Sequence, residues 1–259
     1  MPAAAHSTRI QLCGPLVVRI SGVDITPALP GAQGRLLCAY LIAHRTRAVR
    51  REELVELLWG SAPPPGAAGA VRALLSKLRR ALALPGEELL PAAPEPQLRL
   101  PTGAWVDLEA ASQALHDAQA AVSQDQDVRA WIASHIALNV SSRLFLAGLD
   151  GDWVLDRRAA LADLQADALQ ALAACSIRLG GPELDTAVRA ARELARLSPF
   201  RETGHAHLMR ALAAQGNAAE ALRVYDAVRV LLREELGAVP GPELQKLHAA
   251  LLNPPGSDT

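Results

Sequence analysis

The chain has 259 residues, half of them hydrophobic and 3% aromatic, with 26 Lys and Arg against 27 Asp and Glu and a formal charge of −1. That length allows one large domain or two smaller ones, with ample apolar material for real cores. A near-zero total gives no whole-chain sign of nucleic-acid binding, which shows as a basic excess, and none of an acidic tail. Totals hide distribution, however. Residues 1–105 hold 12 basic and 7 acidic residues, a charge of +5, while residues 106–259 carry −6. A basic front and an acidic back suggest two units with different partners. The three cysteines, Cys13, Cys38 and Cys175, are far apart and form no CxxC pair. This argues against a disulfide framework and a zinc site, and fits a reduced cytosol. The start MPAAAHSTRI lacks the charged and apolar regions of a signal peptide, and no stretch approaches the roughly 18 apolar residues of a membrane span. A cytoplasmic protein with no membrane contact is expected.

In chain order, residues 9–26 read as β. Short alternating or β-branched runs, Arg9 to Cys13, Leu16 to Ile20 and Val23 to Thr26, are divided by Gly14-Pro15 and Ser21-Gly22. A small antiparallel meander is predicted. Helical spacing follows over Arg35–His44 and over Arg51–Trp59, the latter ended by Gly60 and Pro63-Pro64-Pro65. A third helix is expected from about Ala67 to Leu82. Prolines at 85, 91, 94 and 96 mark a loop, and Gln97-Leu98-Arg99-Leu100 reads as a short strand of a terminal hairpin. From Val106 onward the pattern is helical, with breaks near Gln124, Gly148–Gly151, Gly180-Gly181-Pro182, Pro199, Gly216 and Pro240. Ala187-Val188-Arg189 aligns with Ala221-Leu222-Arg223 at an offset of 34 residues, the tetratricopeptide period. Stacked helix pairs, each burying its apolar face on a neighbour, are the physical reading.

The third helix carries the sharpest signal. At about 100° per residue, Val71, Leu74, Leu75, Leu78, Ala81 and Leu82 form one core-facing stripe. The opposite face presents Gly69, Arg72, Ala73, Ser76, Lys77, Arg79 and Arg80, with no acidic residue among them. Such a face fits a major groove, where Arg can donate twice to guanine and Ser or Lys can hold phosphates. The bland alternative is a set of basic residues near a helix C-terminus that favour the dipole and the solvent. Arg50 and Arg51 at the preceding helix, and Arg99 in the later hairpin, tip the balance toward a reader that surrounds one duplex segment.

These residues also carry a resemblance. Val49, Leu54, Leu57-Leu58-Trp59-Gly60, Pro63-Pro64 and the run Val71 to Leu82 resemble the winged helix-turn-helix of the Streptomyces antibiotic regulatory proteins. Leu146-Ala147-Gly148-Leu149-Asp150, Trp153, Pro199-Phe200-Arg201-Glu202, Leu208 to Leu212 and Glu234-Glu235-Leu236-Gly237 are similar to the bacterial transcriptional activator domain that follows it. The resemblance implies a mainly α protein with a small β component: an OmpR-like winged helix-turn-helix over 9–105, then an all-α, tetratricopeptide-like activator domain over 106–252. Residues 1–8 and 253–259 are expected to be disordered tails. It further implies a non-enzymatic transcriptional activator of a secondary-metabolite gene cluster. Such a protein binds tandem repeats of double-stranded DNA near a promoter, as a dimer at least on DNA, contacts RNA polymerase holoenzyme, and is cytoplasmic and nucleoid-associated. By position, Arg72, Ser76, Lys77, Arg79 and Arg80 match the recognition helix and Arg99 the wing. Ser61, Ala62, Pro63, Pro64 and Pro65 match the turn where polymerase contact is expected. The wing departs from the family's Gly-aromatic-Arg-Leu pattern, and no basic residue stands at Ala32, where relatives commonly carry one. No cofactor is implied, and no GxxxxGK[ST] occurs.

Weaker signals read as structure. His205 and His207 stand at i and i+2, which on a helix point to different sides, so shared metal ligation is not expected. Asp150-Gly151-Asp152 reads as a capped turn before Trp153 rather than a calcium loop. The four tryptophans read as packing, with Trp105 as a domain seam. The rival function is a helical-repeat adaptor for proteins, with only non-specific DNA affinity.

Overall fold

The computed structural model describes residues 8–253. The tails expected at 1–8 and 253–259 lie outside the described residues except for Thr8 and Asn253. Thr8 is not a tail: it is buried, its hydroxyl accepts the Ser21 N–H at 3.2 Å and its carbonyl the Trp105 N–H at 2.9 Å. Two compact units form. One comprises residues up to 110 together with 143–161; the other comprises 111–142 and 162 onward.

In the first unit, β1 (Arg9–Gln11), β2 (Val17–Ile20) and β3 (Val23–Asp24) make the antiparallel meander, with Ile10 opposite Val18 and Ile20 opposite Val23. A fourth strand, β4 (Trp105–Val106), joins parallel to β1 and gives the order β3-β2-β1-β4. Three helices follow the meander: α1 (Gly31–Ala43), α2 (Arg51–Trp59) and α3 (Ala67–Ala81). Helix α1 packs on both α2 and α3. Its Gly34 is held to glycine by packing, because a Cβ there would stand 2.3 Å from the Pro30 ring. Leu37, Leu41, Leu54, Val71, Leu75 and Leu78 are essentially buried. Each contributes about 1.5–3 kcal/mol by leaving water.

The expected strand over Gln97–Leu100 does not form. Four prolines between 91 and 101 remove donors, and the segment runs as an irregular loop with buried Pro96 and Leu98. It is pinned by single bonds: Arg99 N–H to the Leu89 carbonyl at 2.7 Å, Val49 N–H to the Pro96 carbonyl at 3.0 Å, and the Gln97 side chain to the Arg45 carbonyl at 3.0 Å.

Asp107, just after β4, is 1% exposed. Its carboxylate accepts the N–H groups of Leu12 at 2.9 Å, Cys13 at 2.8 Å and Leu108 at 2.8 Å. Burial pushes this carboxyl above its ordinary value, and the three donors oppose that rise. Cys13 also bridges to Phe145. Trp153 then packs edge-on against Phe145, at 5.5 Å between ring centroids, and Tyr40, at 5.0 Å. Residues 143–161 thus complete the core of the first unit. Trp105 is 38% exposed, with the Arg9 guanidinium 5.0 Å over its ring.

The second unit is built on α4 (Asp107–Ser123) from Ala111 on, α5 (Asp127–Ser141), α6 (Asp152–Leu179) from Ala162 on, α7 (Glu183–Leu197), α8 (Glu202–Ala214), α9 (Ala218–Leu236) and α10 (Pro242–Leu252). The breaks between these helices fall where glycine, proline and polar residues predict them. Alanine layers bring α4, α5 and α6 together: Ala114 with Ala137 and Ala168, and Ala118 with Ala133 and Ala171. Helix α8 lies against α7, α9 and α10. Ala187 and Ala221, the positions 34 apart, are both fully buried in that core. Tyr225 stacks on His248 at 4.0 Å. Trp131 donates its indole N–H to Glu183 at 2.9 Å.

Candidate nucleic-acid interface

Helix α3 starts after Gly66, whose φ of +84° opens a left-handed turn that an L side chain would strain. Its first turn carries no acidic residue and its last turn holds Arg79 and Arg80. Val71, Leu75 and Leu78 are buried, while Gly69, Arg72, Ala73, Ser76, Lys77 and Arg80 are exposed. Leu74 and Arg79 are intermediate.

The basic side chains differ in what they touch. Among the described residues, Arg72, Lys77, Arg80 and Arg99 form no ion pair, whereas Arg45, Arg47, Arg50 and Arg158 each do. Arg79 is tied inward, with its Nε donating to the Leu90 carbonyl at 3.2 Å. That bond fastens the 85–100 loop to the C-terminal end of α3. The neighbouring Leu89 carbonyl holds the Arg99 backbone, so the exposed Arg99 is brought to the same end. Arg72, Ser76, Lys77, Arg80 and Arg99 are therefore solvent-exposed, whereas Arg79 links α3 to the 85–100 loop.

Arg50 and Arg51 differ from these. Arg50 precedes α2; its backbone N–H and its Nε both donate to Glu53, at 3.1 and 3.2 Å. Glu53 also accepts Arg47 at 2.6 Å and the Tyr40 hydroxyl at 3.2 Å. The Arg47 contact leads in holding the Glu53 carboxyl down to about 2. The Arg50 charge is thus partly compensated, although its side chain is 69% exposed. Arg51 is half-buried, with its Nε enclosed and unpartnered.

Ser61, Ala62, Pro63, Pro64 and Pro65 are all exposed. They follow a cleft of about 730 Å³ whose walls include Tyr40, Glu56, Trp59, Ser61, Asp152 and Trp153. Asp150 and Asp156 add to its acidic rim. Sequence reasoning missed this cleft, because Asp150–Asp156 are about a hundred residues from α1 and α2 and no linear spacing links them.

The remaining candidates are structural. The His205 Nε2 proton goes to the Pro199 carbonyl at 2.9 Å. Burial, aided by Arg210 and Arg178, pushes His207 down to about 4. Among the described residues no group of three or more His, Cys, Asp or Glu is placed to hold a metal ion. None of their helices is long and apolar enough to cross a membrane.

Comparison with known proteins agrees with this architecture. The family model of the bacterial transcriptional activator domain matches residues 106–252, more than half of the chain. The chain belongs to the Streptomyces antibiotic regulatory protein family. It is 32% identical over 244 residues to the regulatory protein AfsR of Streptomyces coelicolor, covering 94% of this chain but 24% of AfsR. Against the regulatory protein DnrI of Streptomyces peucetius it is 26% identical, over 96% of this chain and 94% of DnrI. The chain thus spans about a quarter of the AfsR proteins and nearly all of DnrI. A solved structure of Mycobacterium tuberculosis EmbR in complex with a low-affinity phosphopeptide superposes with a TM-score of 0.81 at 25% identity, covering 96% of this chain and 65% of that one. The fold is that of the family: an N-terminal winged helix-turn-helix followed by a helical domain. The relatives that match are regulatory proteins by name, and the mycobacterial EmbR and MoaR1 proteins are named transcriptional regulators.

Proposed function

We propose that this family member is a sequence-specific DNA-binding activator. In this reading it serves a secondary-metabolite gene cluster, most simply an antibiotic one, and acts in the cytoplasm on the nucleoid. The observation that carries the reading is the outward face of α3. Arg72, Ser76, Lys77 and Arg80 are exposed there, with no acidic residue on the face and, among the described residues, no ion pair to satisfy the cations. Arg72 suits a bidentate base contact, and Lys77, Arg80 and Arg99 suit phosphates. Tandem repeats near a promoter, read by two copies side by side, fit the family's regulators and complete the reading.

RNA polymerase recruitment is assigned to the 60–66 turn. The support is chemical: Ser61 to Pro65 are exposed beside a cleft that combines carboxylates with Tyr40, Trp59 and Trp153. Such a cleft suits a basic, partly apolar protein segment.

The test is genome-wide mapping of bound sites, followed by binding to duplexes carrying the recovered motif. A tandem motif spaced by whole helical turns, bound at least about 10³-fold more tightly than scrambled DNA, is the expected result. The irregular 85–100 loop favours the rival adaptor reading. That reading predicts no motif and only a non-specific Kd of about 10⁻⁴–10⁻⁶ M at physiological salt.

A further inference from the structure

The cleft beside the 61–65 turn is more than a flat contact surface. It lies wholly within the first unit and encloses about 730 Å³. Pockets that hold small molecules span about 300–1,000 Å³. Tyr40, Trp59 and Trp153 give it aromatic walls, and five carboxylates reach its lining, with no Lys, Arg or His among the lining residues. Two of the five are already satisfied. Glu53 takes Arg47 and Arg50, and Asp150 takes Arg158 at 3.0 Å. The other three, Glu56, Asp152 and Asp156, are exposed and form no ion pair among the described residues.

The chemistry of the walls says what fills the cleft. Asp152 stands in the first turn of α6, where a negative charge suits the helix dipole. Glu56 does not have that excuse. It stands in the last turn of α2, where the carbonyl end disfavours a negative charge, and no basic residue of that turn offsets it. A cation from outside removes this conflict. The aromatic walls favour a cation too, through the negative face of each ring. The chain itself makes that contact once: the Arg157 guanidinium stands 6.0 Å over the Trp153 ring, although Arg157 is not part of the lining. His44 packs on Tyr40 and Trp153, and burial lowers its pKa, so it brings no positive charge at neutral pH. Anions are repelled by the three free carboxylates. A bare metal ion would leave the rings unused, and among the described residues no group of His, Cys, Asp or Glu is placed to hold one. A single amine would leave two carboxylates uncompensated. Two ammonium groups on a flat apolar frame answer both the charge and the rings.

We propose that this cleft is a binding site for a small organic diammonium ion. The polymerase reading above concerns the same cleft, but binding of a free ligand requires no polymerase, so either can fail alone. The probe is p-xylylenediamine, and its control is the neutral analogue p-xylylene glycol. The full chain, without DNA, is titrated with each at low salt by calorimetry and by tryptophan fluorescence, since Trp59 and Trp153 both line the site. The diamine is expected to bind with a Kd of about 1 mM or tighter and to shift the fluorescence. The glycol should bind about tenfold more weakly or not at all. Glu56→Gln combined with Asp156→Asn should weaken the diamine about tenfold with an unchanged melting curve. Glu220→Gln combined with Glu235→Gln, exposed carboxylates of the second unit, should leave it unchanged. Equal affinity for diamine and glycol overturns the proposal, as does wild-type affinity in the cleft variant or an equal loss in the control variant. A blocked tripeptide of arginine, leucine and arginine is titrated alongside. If it binds and the diamine does not, the cleft takes a protein segment, the proposal falls and the polymerase reading stands.

Discussion

Arg72 and Arg79 lie seven residues apart on one helix, and replacing each by alanine should give different results. Arg72 is exposed and forms no ion pair among the described residues, so its removal should leave the free protein unchanged. On DNA it loses a bidentate base contact of about 1–3 kcal/mol, which is about 5- to 150-fold in Kd. The loss appears on the specific duplex and much less on a scrambled one. Arg79 is half-buried, and its guanidinium donates to the Leu90 carbonyl. Arg79→Ala loses that charge-assisted bond, about 1–2 kcal/mol at a partly solvated site, and lowers Tm by about 3–8 °C before DNA is added. It also frees the loop that presents Arg99, so affinity falls on both duplexes. Fluorescence anisotropy on specific and scrambled duplexes, with melting curves of the free proteins, separates the two patterns. Unchanged specific affinity in Arg72→Ala would remove the reader from this face. An unchanged melting curve in Arg79→Ala would show that the Leu90 bond does not hold in solution.

Other predictions follow from the same geometry. Lys77→Gln should flatten the plot of log K against log salt by about 0.9 and weaken specific and scrambled duplexes alike; an unchanged slope would exclude a phosphate contact. Asp107→Ala leaves the buried N–H groups of Leu12 and Cys13 without their acceptor and should cost about 3–5 kcal/mol in urea unfolding, where a loss under 1 kcal/mol would contradict the geometry. His207 has its pKa lowered in the folded chain, from 6.5 to about 4, so the unfolded chain binds the extra proton between those values. Stability should therefore fall as pH drops from 6.5 to 4, by up to ~3 kcal/mol, and His207→Gln should flatten that part of the profile.

How far the sequence could be read depends on the range of the interactions involved. The α3 stripe is legible because a 3.6-residue period needs only local spacing, and the breaks at Gly180-Gly181-Pro182 and Pro199 are legible because the residues that stop helices act in place. No strand forms at Gln97–Leu100 for a related reason: alternation suggests pairing, but the flanking prolines deny it a ladder. The real fourth strand, Trp105–Val106, is only two residues long and is defined by β1, nearly a hundred residues earlier. Arg79 appears equivalent to Arg72 on a helical wheel, and only the return of the 85–90 segment shows that it is tied down. The aromatic contacts of Trp153 with Tyr40 and Phe145 depend on a chain return that no periodicity encodes.

The Asp107 clasp has a bearing on how this protein can be dissected. The charge boundary near Trp105 invites a cut there, giving a basic fragment to be tested alone on DNA. Such a fragment would lack the acceptor for the Leu12 and Cys13 amides, the bridge from Phe145 to Cys13 and the indole that packs on Tyr40. The first unit is discontinuous along the chain, and its last parts are supplied by residues 143–161. Exchanging readers between relatives would therefore require transplanting both stretches, because a graft ending at residue 105 carries the basic face without the core that supports it.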